Sequence, residues 1–123
     1  MSATTILIAE DEEMLVELIA HKFQKEGFEI ILASNGVEAL SALKINQPDV
    51  FITDIHMSPP TGLELITIVR DELKWDIPII ILSGDTGESQ ILEALSKGAN
   101  DYVTKPFRPD ELYIRVKRLL ARR

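Results

Sequence analysis

Five short apolar runs alternate along this chain with five segments whose hydrophobic residues recur at helical spacing. No other feature of the sequence limits the fold so strongly. A continuous apolar run bounded by turn residues reads as a strand covered on both faces, whereas recurrence every three or four residues reads as a helix with one buried side. Thr4-Thr5-Ile6-Leu7-Ile8-Ala9 is the first run and stops abruptly at Glu10-Asp11-Glu12-Glu13. Met14, Leu15, Leu18, Ile19 and Phe23 then follow a helical period until Gly27 ends it. Phe28 to Ala33 is a second strand, and a helix carrying Val37, Ala39, Leu40 and Leu43 comes after the Ser34-Asn35-Gly36 turn. Val50 to Thr53 is a third strand with Asp54 at its end.

The adjacent Pro59 and Pro60 exclude helix or central strand from the loop that follows. Leu63, Ile66, Val69 and Arg70 mark a helix ending near Trp75, and Ile77 to Leu82 is a fourth strand capped by Ser83-Gly84-Asp85. Ile91, Leu92 and Leu95 belong to a helix that stops at Gly98. Tyr102 to Thr104 is the fifth strand, and a last helix starts near Pro109 with Leu112, Val116, Leu119 and Leu120 facing inward. Strand and helix alternating in this way predict an α/β fold with a parallel sheet covered on both faces. Right-handed crossovers limit the topologies, and among those left a five-stranded doubly wound sheet in the flavodoxin-like order 2-1-3-4-5 is expected. The length of 123 residues predicts a single domain, residues 1–123, and no repeat or long linker divides it.

Composition removes several functions. There is no cysteine, which excludes disulfides, thiolate nucleophiles and zinc–sulfur sites. The net charge of −7 disfavours broad nucleic-acid binding, although residues 108–123 carry a local net of +4. No apolar stretch approaches the ~20 residues of a membrane helix, and the N-terminus has no basic segment or apolar leader core. The expectation is a cytoplasmic protein.

In an open α/β sheet the functional crevice lies beyond the strand carboxyl ends, at the point where strand order reverses. In the order 2-1-3-4-5 that point falls between strands 1 and 3, which end in Glu10-Asp11 and in Asp54. Three carboxylates sharing one crevice repel one another. A hard cation such as Mg²⁺, with Mn²⁺ as a substitute, relieves that repulsion through oxygen ligands. Ser83 at the end of strand 4 offers a hydroxyl, and Lys105 after strand 5 offers a cation. A carboxylate nucleophile, a metal, a hydroxyl and an ammonium together suit phosphoryl transfer.

These residues resemble the receiver domain of two-component response regulators. The matching elements are Ile8-Ala9-Glu10-Asp11-Glu12, Ile52-Thr53-Asp54-Ile55-His56-Met57, the Gly62 turn, Leu82-Ser83-Gly84, and Gly98 through Phe107 with its Lys105-Pro106 pair. They occur in order, at the family's spacing, over nearly the whole chain. The resemblance implies that Asp54 is the phosphoacceptor, with Glu10 and Asp11 near the metal and His56 lending its backbone carbonyl. It further implies that Ser83 engages the phosphoryl group and Lys105 its charge, with a cis bond from Lys105 to Pro106. Tyr102 matches the aromatic switch, and His56 and Asp85 occupy the positions that modulate phosphoryl lifetime. Glu10 stands where aspartate is commoner, which implies a longer or water-mediated contact. Gly84 stands where alanine is usual.

The implied partners are a sensor histidine kinase or histidine phosphotransfer protein, and a downstream output domain or protein signalled through the face of helix 4, strand 5 and helix 5. Residues 98–118 also resemble receivers of winged-helix transcription regulators, which dimerise through this face. Asp101, Glu111, Arg115 and Lys117 fit that pattern, whereas Asn100 and Ile91 replace charged residues. A monomer, or a weak dimer on activation, is therefore expected, with no direct nucleic-acid or membrane contact. The competing class is a magnesium-dependent phosphohydrolase or nucleotide-binding enzyme. It wants a Gly-rich phosphate loop, or a second carboxylate two residues past the nucleophile. Neither motif occurs, and residue 56 is His. The chain stops where output domains usually begin in this family, so a receiver cut from a longer regulator or hybrid kinase is the other alternative.

Overall fold

The computed structural model describes residues 3–84 and 88–122. Five strands, β1 (Thr5–Ala9), β2 (Glu29–Ala33), β3 (Val50–Asp54), β4 (Ile79–Ser83) and β5 (Asp101–Thr104), form one sheet in the order β2-β1-β3-β4-β5. Every pairing is parallel. The helices are α1 (Glu13–Lys25), α2 (Gly36–Ile45), α3 (Gly62–Thr67), α4 (Glu88–Lys97) and α5 (Pro109–Ala121), with α3 continuing as a π-helical stretch, Ile68–Glu72.

The period-two geometry of a strand sends alternate side chains to opposite faces. Leu7 and Ala9 of β1, with Phe51 of β3 and Ile79 and Ile81 of β4, face a core completed by Leu43, Leu65, Ile66 and Ala94 of α2, α3 and α4. Ile6 and Ile8, with Val50, Ile52, Ile80 and Leu82, face a second core completed by Ile19 and Phe23 of α1 and Leu112 and Val116 of α5. Phe23, Phe28 and Tyr113 pack edge to face or tilted at 5.6–6.2 Å and join α1 to α5.

Local chemistry sets the boundaries. The Asn35 side chain accepts from the Glu38 N–H, and Thr61 and Glu64 form a reciprocal capping box at α3. Gly27 ends α1 in the left-handed region at φ +95°. β4 starts at Ile79, not at Ile77, because Pro78 has no N–H for the ladder. The third helix stops at Glu72, short of Trp75, with Lys74 at φ +60°.

The helical stripes are narrower than hydropathy suggests. Met14 is 76% exposed and Leu18 55%, because the buried side of α1 is Val16, Ile19, Ala20 and Phe23. Val37 and Leu92 are exposed as well.

Arg70, in the π-helical stretch, closes the end of the sheet opposite the strand C-termini. Its Nε donates to the Gly98 carbonyl at 3.0 Å, one terminal nitrogen to the Trp75 carbonyl at 2.7 Å and the other to Asn100 Oδ1 at 2.9 Å. Asn100 Oδ1 also accepts the Ile79 N–H at 2.8 Å.

Candidate functional site

Register brings the chemistry together. Ala9 of β1 pairs with Thr53 of β3, so Glu10 and Asp54 leave the sheet side by side at its centre. Ser83 of β4 pairs with Thr104 of β5, so Lys105 follows at the same edge, and its N–H donates to the Ser83 carbonyl at 2.7 Å. Glu10, Asp11 and Asp54 each offer a carboxylate oxygen within 4.8 Å of the others. Glu10 and Asp54 are buried and Asp11 is exposed.

Short backbone contacts fix Asp54. Asp54 Oδ1 accepts the His56 N–H at 3.2 Å, and the Thr53 hydroxyl donates to the Asp54 carbonyl at 3.0 Å. Glu10 Oε2 accepts the Glu12 N–H at 3.1 Å. Gly62 at the start of α3 packs directly behind this strand end. A Cβ there would lie 2.4 Å from the Asp54 carbonyl oxygen.

Lys105 Nζ lies among three carboxylates: 2.6 Å from Glu10 Oε1, 3.3 Å from Asp54 Oδ2 and 3.8 Å from Glu12 Oε2. The sequence reading did not single out Glu12 as part of this cluster. The only signal for it was the acidic run directly after β1. Burial pushes the Glu10 carboxyl above the usual carboxylate range, with the Asp54 charge adding to it, against the downward pull of Lys105 and the Glu12 N–H. Burial also works against the Lys105 ammonium. The close contact with Glu10 and the charges of Asp54 and Glu10 outweigh it and hold Lys105 above the usual lysine range.

Of the other residues singled out, Ser83 is fully buried at the end of β4, and the His56 side chain is exposed. Tyr102 is 37% exposed on β5. Asp85 lies outside the described residues. The Lys105–Pro106 peptide is cis, as is Pro59–Pro60. A cavity of about 280 Å³ opens beside Lys105, lined by Glu12, Leu15, Lys105, Pro106 and Phe107. On the face of α4, β5 and α5, Arg115 is paired within the chain. Its guanidinium reaches both Asp101 oxygens at 2.9 and 3.0 Å, and Glu111 at 3.2 Å.

Residues 6–117 match the response regulator receiver domain family. The chain is 39% identical over 123 residues to the phosphate regulon transcriptional regulatory protein PhoB of Pseudomonas aeruginosa, covering 99% of this chain and 54% of that protein. It therefore spans about half the length of the curated relatives it matches. Among solved structures, it resembles the receiver domain of the Francisella response regulator 1452, with a TM-score of 0.89, 36% identity and coverage of 97% and 98% of the two chains. The chemotaxis response regulator CheY4 of Vibrio cholerae superposes with a TM-score of 0.88 at 28% identity, covering 96% of this chain and 99% of that one. The chain belongs to the receiver domain family of two-component response regulators. The doubly wound sheet expected from the alternation of periods is the one observed. No helix among the described residues is long and apolar enough to cross a membrane.

Proposed function

We propose that residues 1–123 act as one phosphorylatable receiver domain, a signalling switch that takes a phosphoryl group onto Asp54. The observation that carries this reading is a buried carboxylate at the sheet's switch point, held by an ammonium and flanked by two further carboxylates. The chemistry has a defined balance. An Asp54 oxygen attacks the phosphorus of the donor, a P–O bond to Asp54 forms, and the bond from phosphorus to the leaving group breaks with its electron pair. The leaving group is an imidazole when the donor is a phosphohistidine of a sensor histidine kinase or histidine phosphotransfer protein.

The chain's own residues meet the transferred charge. Lys105, already 3.3 Å from Asp54, neutralises one phosphoryl oxygen, and the Ser83 hydroxyl donates to another. The donor set of Glu10, Asp11, Asp54 and the His56 carbonyl is all oxygen and fits Mg²⁺, or Mn²⁺ in its place. Such an ion, when bound, supplies charge neutralisation and a template for in-line transfer.

Output runs through α4, β5 and α5 to a further domain or protein. Movement of Ser83 toward the phosphoryl group vacates space that Tyr102 fills from its exposed position, repacking that face. The domain works in the cytoplasm as a monomer, with at most a weak dimer on activation. Arg115 and Asp101 satisfy each other within the chain, and exposed charge pairs add little to an interface one by one.

Intact mass after incubation with acetyl phosphate and Mg²⁺ tests the central claim. One added phosphoryl group is expected, and none in Asp54→Asn. Equal labelling of that variant refutes the assignment.

A further inference from the structure

Among the described residues the buried polar side chains are Glu10, Thr53, Asp54 and Ser83. Glu10, Asp54 and Ser83 already have a place in the reading above, and Thr53 has none. Thr53 lies in β3 between Ala9 of β1 and Ile81 of β4, both part of the core that faces α2, α3 and α4. Its side chain therefore leaves the sheet on the face opposite to that of Asp54. A valine has the same shape and would suit this apolar row, whereas a buried hydroxyl costs free energy unless it is hydrogen-bonded. The hydroxyl has its partner: it donates to the Asp54 carbonyl at 3.0 Å.

That carbonyl belongs to the planar peptide group between Asp54 and Ile55. The plane is pinned at its other end too, because the Ile55 N–H donates to the Leu82 carbonyl at 3.0 Å. The next N–H, of His56, donates to Asp54 Oδ1 at 3.2 Å. Turning the plane changes ψ of Asp54 and φ of Ile55 together, and so moves the His56 N–H relative to the carboxylate it holds. Gly62 borders the same carbonyl closely, with its Cβ position 2.4 Å from the oxygen, and brings no side-chain donor of its own.

We propose that Thr53 is a positioning residue for phosphoryl transfer: its hydroxyl fixes the Asp54–Ile55 peptide from the far face of the sheet and so holds the Asp54 carboxylate in its attacking orientation. The proposal rests on the reading of Asp54 as the phosphoacceptor and adds a residue to it. The effect reaches Asp54 only through the backbone, since the two side chains leave opposite faces. Misplacing a reacting atom by about 1 Å costs on the order of 10²-fold in rate, so relaxing one tether of the peptide should cost about tenfold.

The test measures phosphorylation of the intact chain by acetyl phosphate at saturating Mg²⁺, over a range of donor concentrations, in the parent, Thr53→Val, Thr53→Ala and Thr53→Ser. The first two variants lack the hydroxyl and the third keeps it. The maximal rate should fall about tenfold in Thr53→Val and Thr53→Ala with the donor KM unchanged, and stay within about twofold of the parent in Thr53→Ser. The NMR signal of the His56 amide should shift in the two hydroxyl-free variants, because its acceptor has moved, and stay near the parent position in Thr53→Ser. A merely structural role would lower the melting temperature and leave the maximal rate and the amide signal alone.

Parent-like maximal rates in Thr53→Val and Thr53→Ala overturn the positioning role, and so does a Thr53→Ser variant as slow as they are. A raised donor KM at unchanged maximal rate overturns it as well. In each of these cases labelling of the parent leaves Asp54 standing as phosphoacceptor. If one hydroxyl-free variant does not fold, the other carries the comparison, and loss of the fold in both makes Thr53 a structural residue and overturns the proposal. No labelling of the parent overturns both readings.

Discussion

Gly62→Ala should cost stability even though it removes a glycine from the first position of a helix. By backbone entropy alone the change would stabilise, by about 0.4–1 kcal/mol, since φ at Gly62 is not in the left-handed region. The packing decides the other way. The new Cβ would sit 2.4 Å from the Asp54 carbonyl oxygen and 2.8 Å from the Ile55 Cα, both backbone atoms at the C-terminal end of β3. Ordinary contact begins near 3.4 Å, so α3 or the end of β3 must yield by about 1 Å, in a place closed by the Gly62 N–H on the Ile55 carbonyl. Overpacking of this kind costs typically about 1–3 kcal/mol. The net expectation is a loss of about 1–2 kcal/mol, or a fall in melting temperature of roughly 3–8 °C for a domain of this size. Thermal and urea unfolding followed by circular dichroism measure it. Phosphorylation by acetyl phosphate should slow in the same variant, because the displaced atoms are those of Asp54 itself. Gly84→Ala is the control: among the described residues nothing lies within 4 Å of its Cβ, so its midpoint should hold or rise. A Gly62→Ala protein as stable as the parent would refute the steric argument.

Asp11→Asn should weaken Mg²⁺ binding, read by titration calorimetry, and raise the stability of the metal-free domain by relieving carboxylate repulsion. Because the folded pKa of Glu10 is raised, its contribution is fully present below the pKa of an unfolded glutamate and is lost as pH climbs through the raised value. Metal-free stability should therefore decline over that window in the parent and stay flatter in Glu10→Gln, by urea unfolding at stepped pH. Arg70→Ala should destabilise by about 2 kcal/mol or more, from the loss of charged hydrogen bonds to Gly98, Trp75 and Asn100, with phosphorylation rate unchanged. Substituting His56 or Asp85 by Ala should change the dephosphorylation rate more than unfolding stability. Equal decay rates in both variants and the parent would count against that role.

Architecture was readable from sequence because a buried parallel strand and an amphipathic helix leave different periods, and each period is local. Handedness narrowed the strand orders to a few, of which 2-1-3-4-5 was the one expected. What stayed hidden was long-range. Glu10, Asp54 and Lys105 could each be picked out at a strand end, yet nothing in their spacing says that Lys105 sits nearer Glu10 than Asp54. Arg70 fell on the hydrophobic stripe of its helix, and two of the partners described for it, Gly98 and Asn100, lie about thirty positions onward, so its role could not be inferred from neighbours. Met14, Leu18, Val37 and Leu92 fit a helical period but lie outside the buried arc. Period alone does not say which rows of an amphipathic helix meet a sheet and which stay wet.

The Arg70 contacts bear on how receivers can be recombined. A chimera joined between β4 and α4 takes Arg70 from one parent and positions 98 and 100 from the other. Gly98 stands at φ +123°, and a Cβ there would meet Arg70 Cγ at 2.7 Å. A donor segment with any side chain at 98 therefore collides with the arginine, and one without an acceptor at 100 deprives the Ile79 N–H of its bond. Residues 70, 98 and 100 form a unit of inheritance that straddles the most convenient crossover point. Exchanged segments from α4 onward will fold well only when all three travel together.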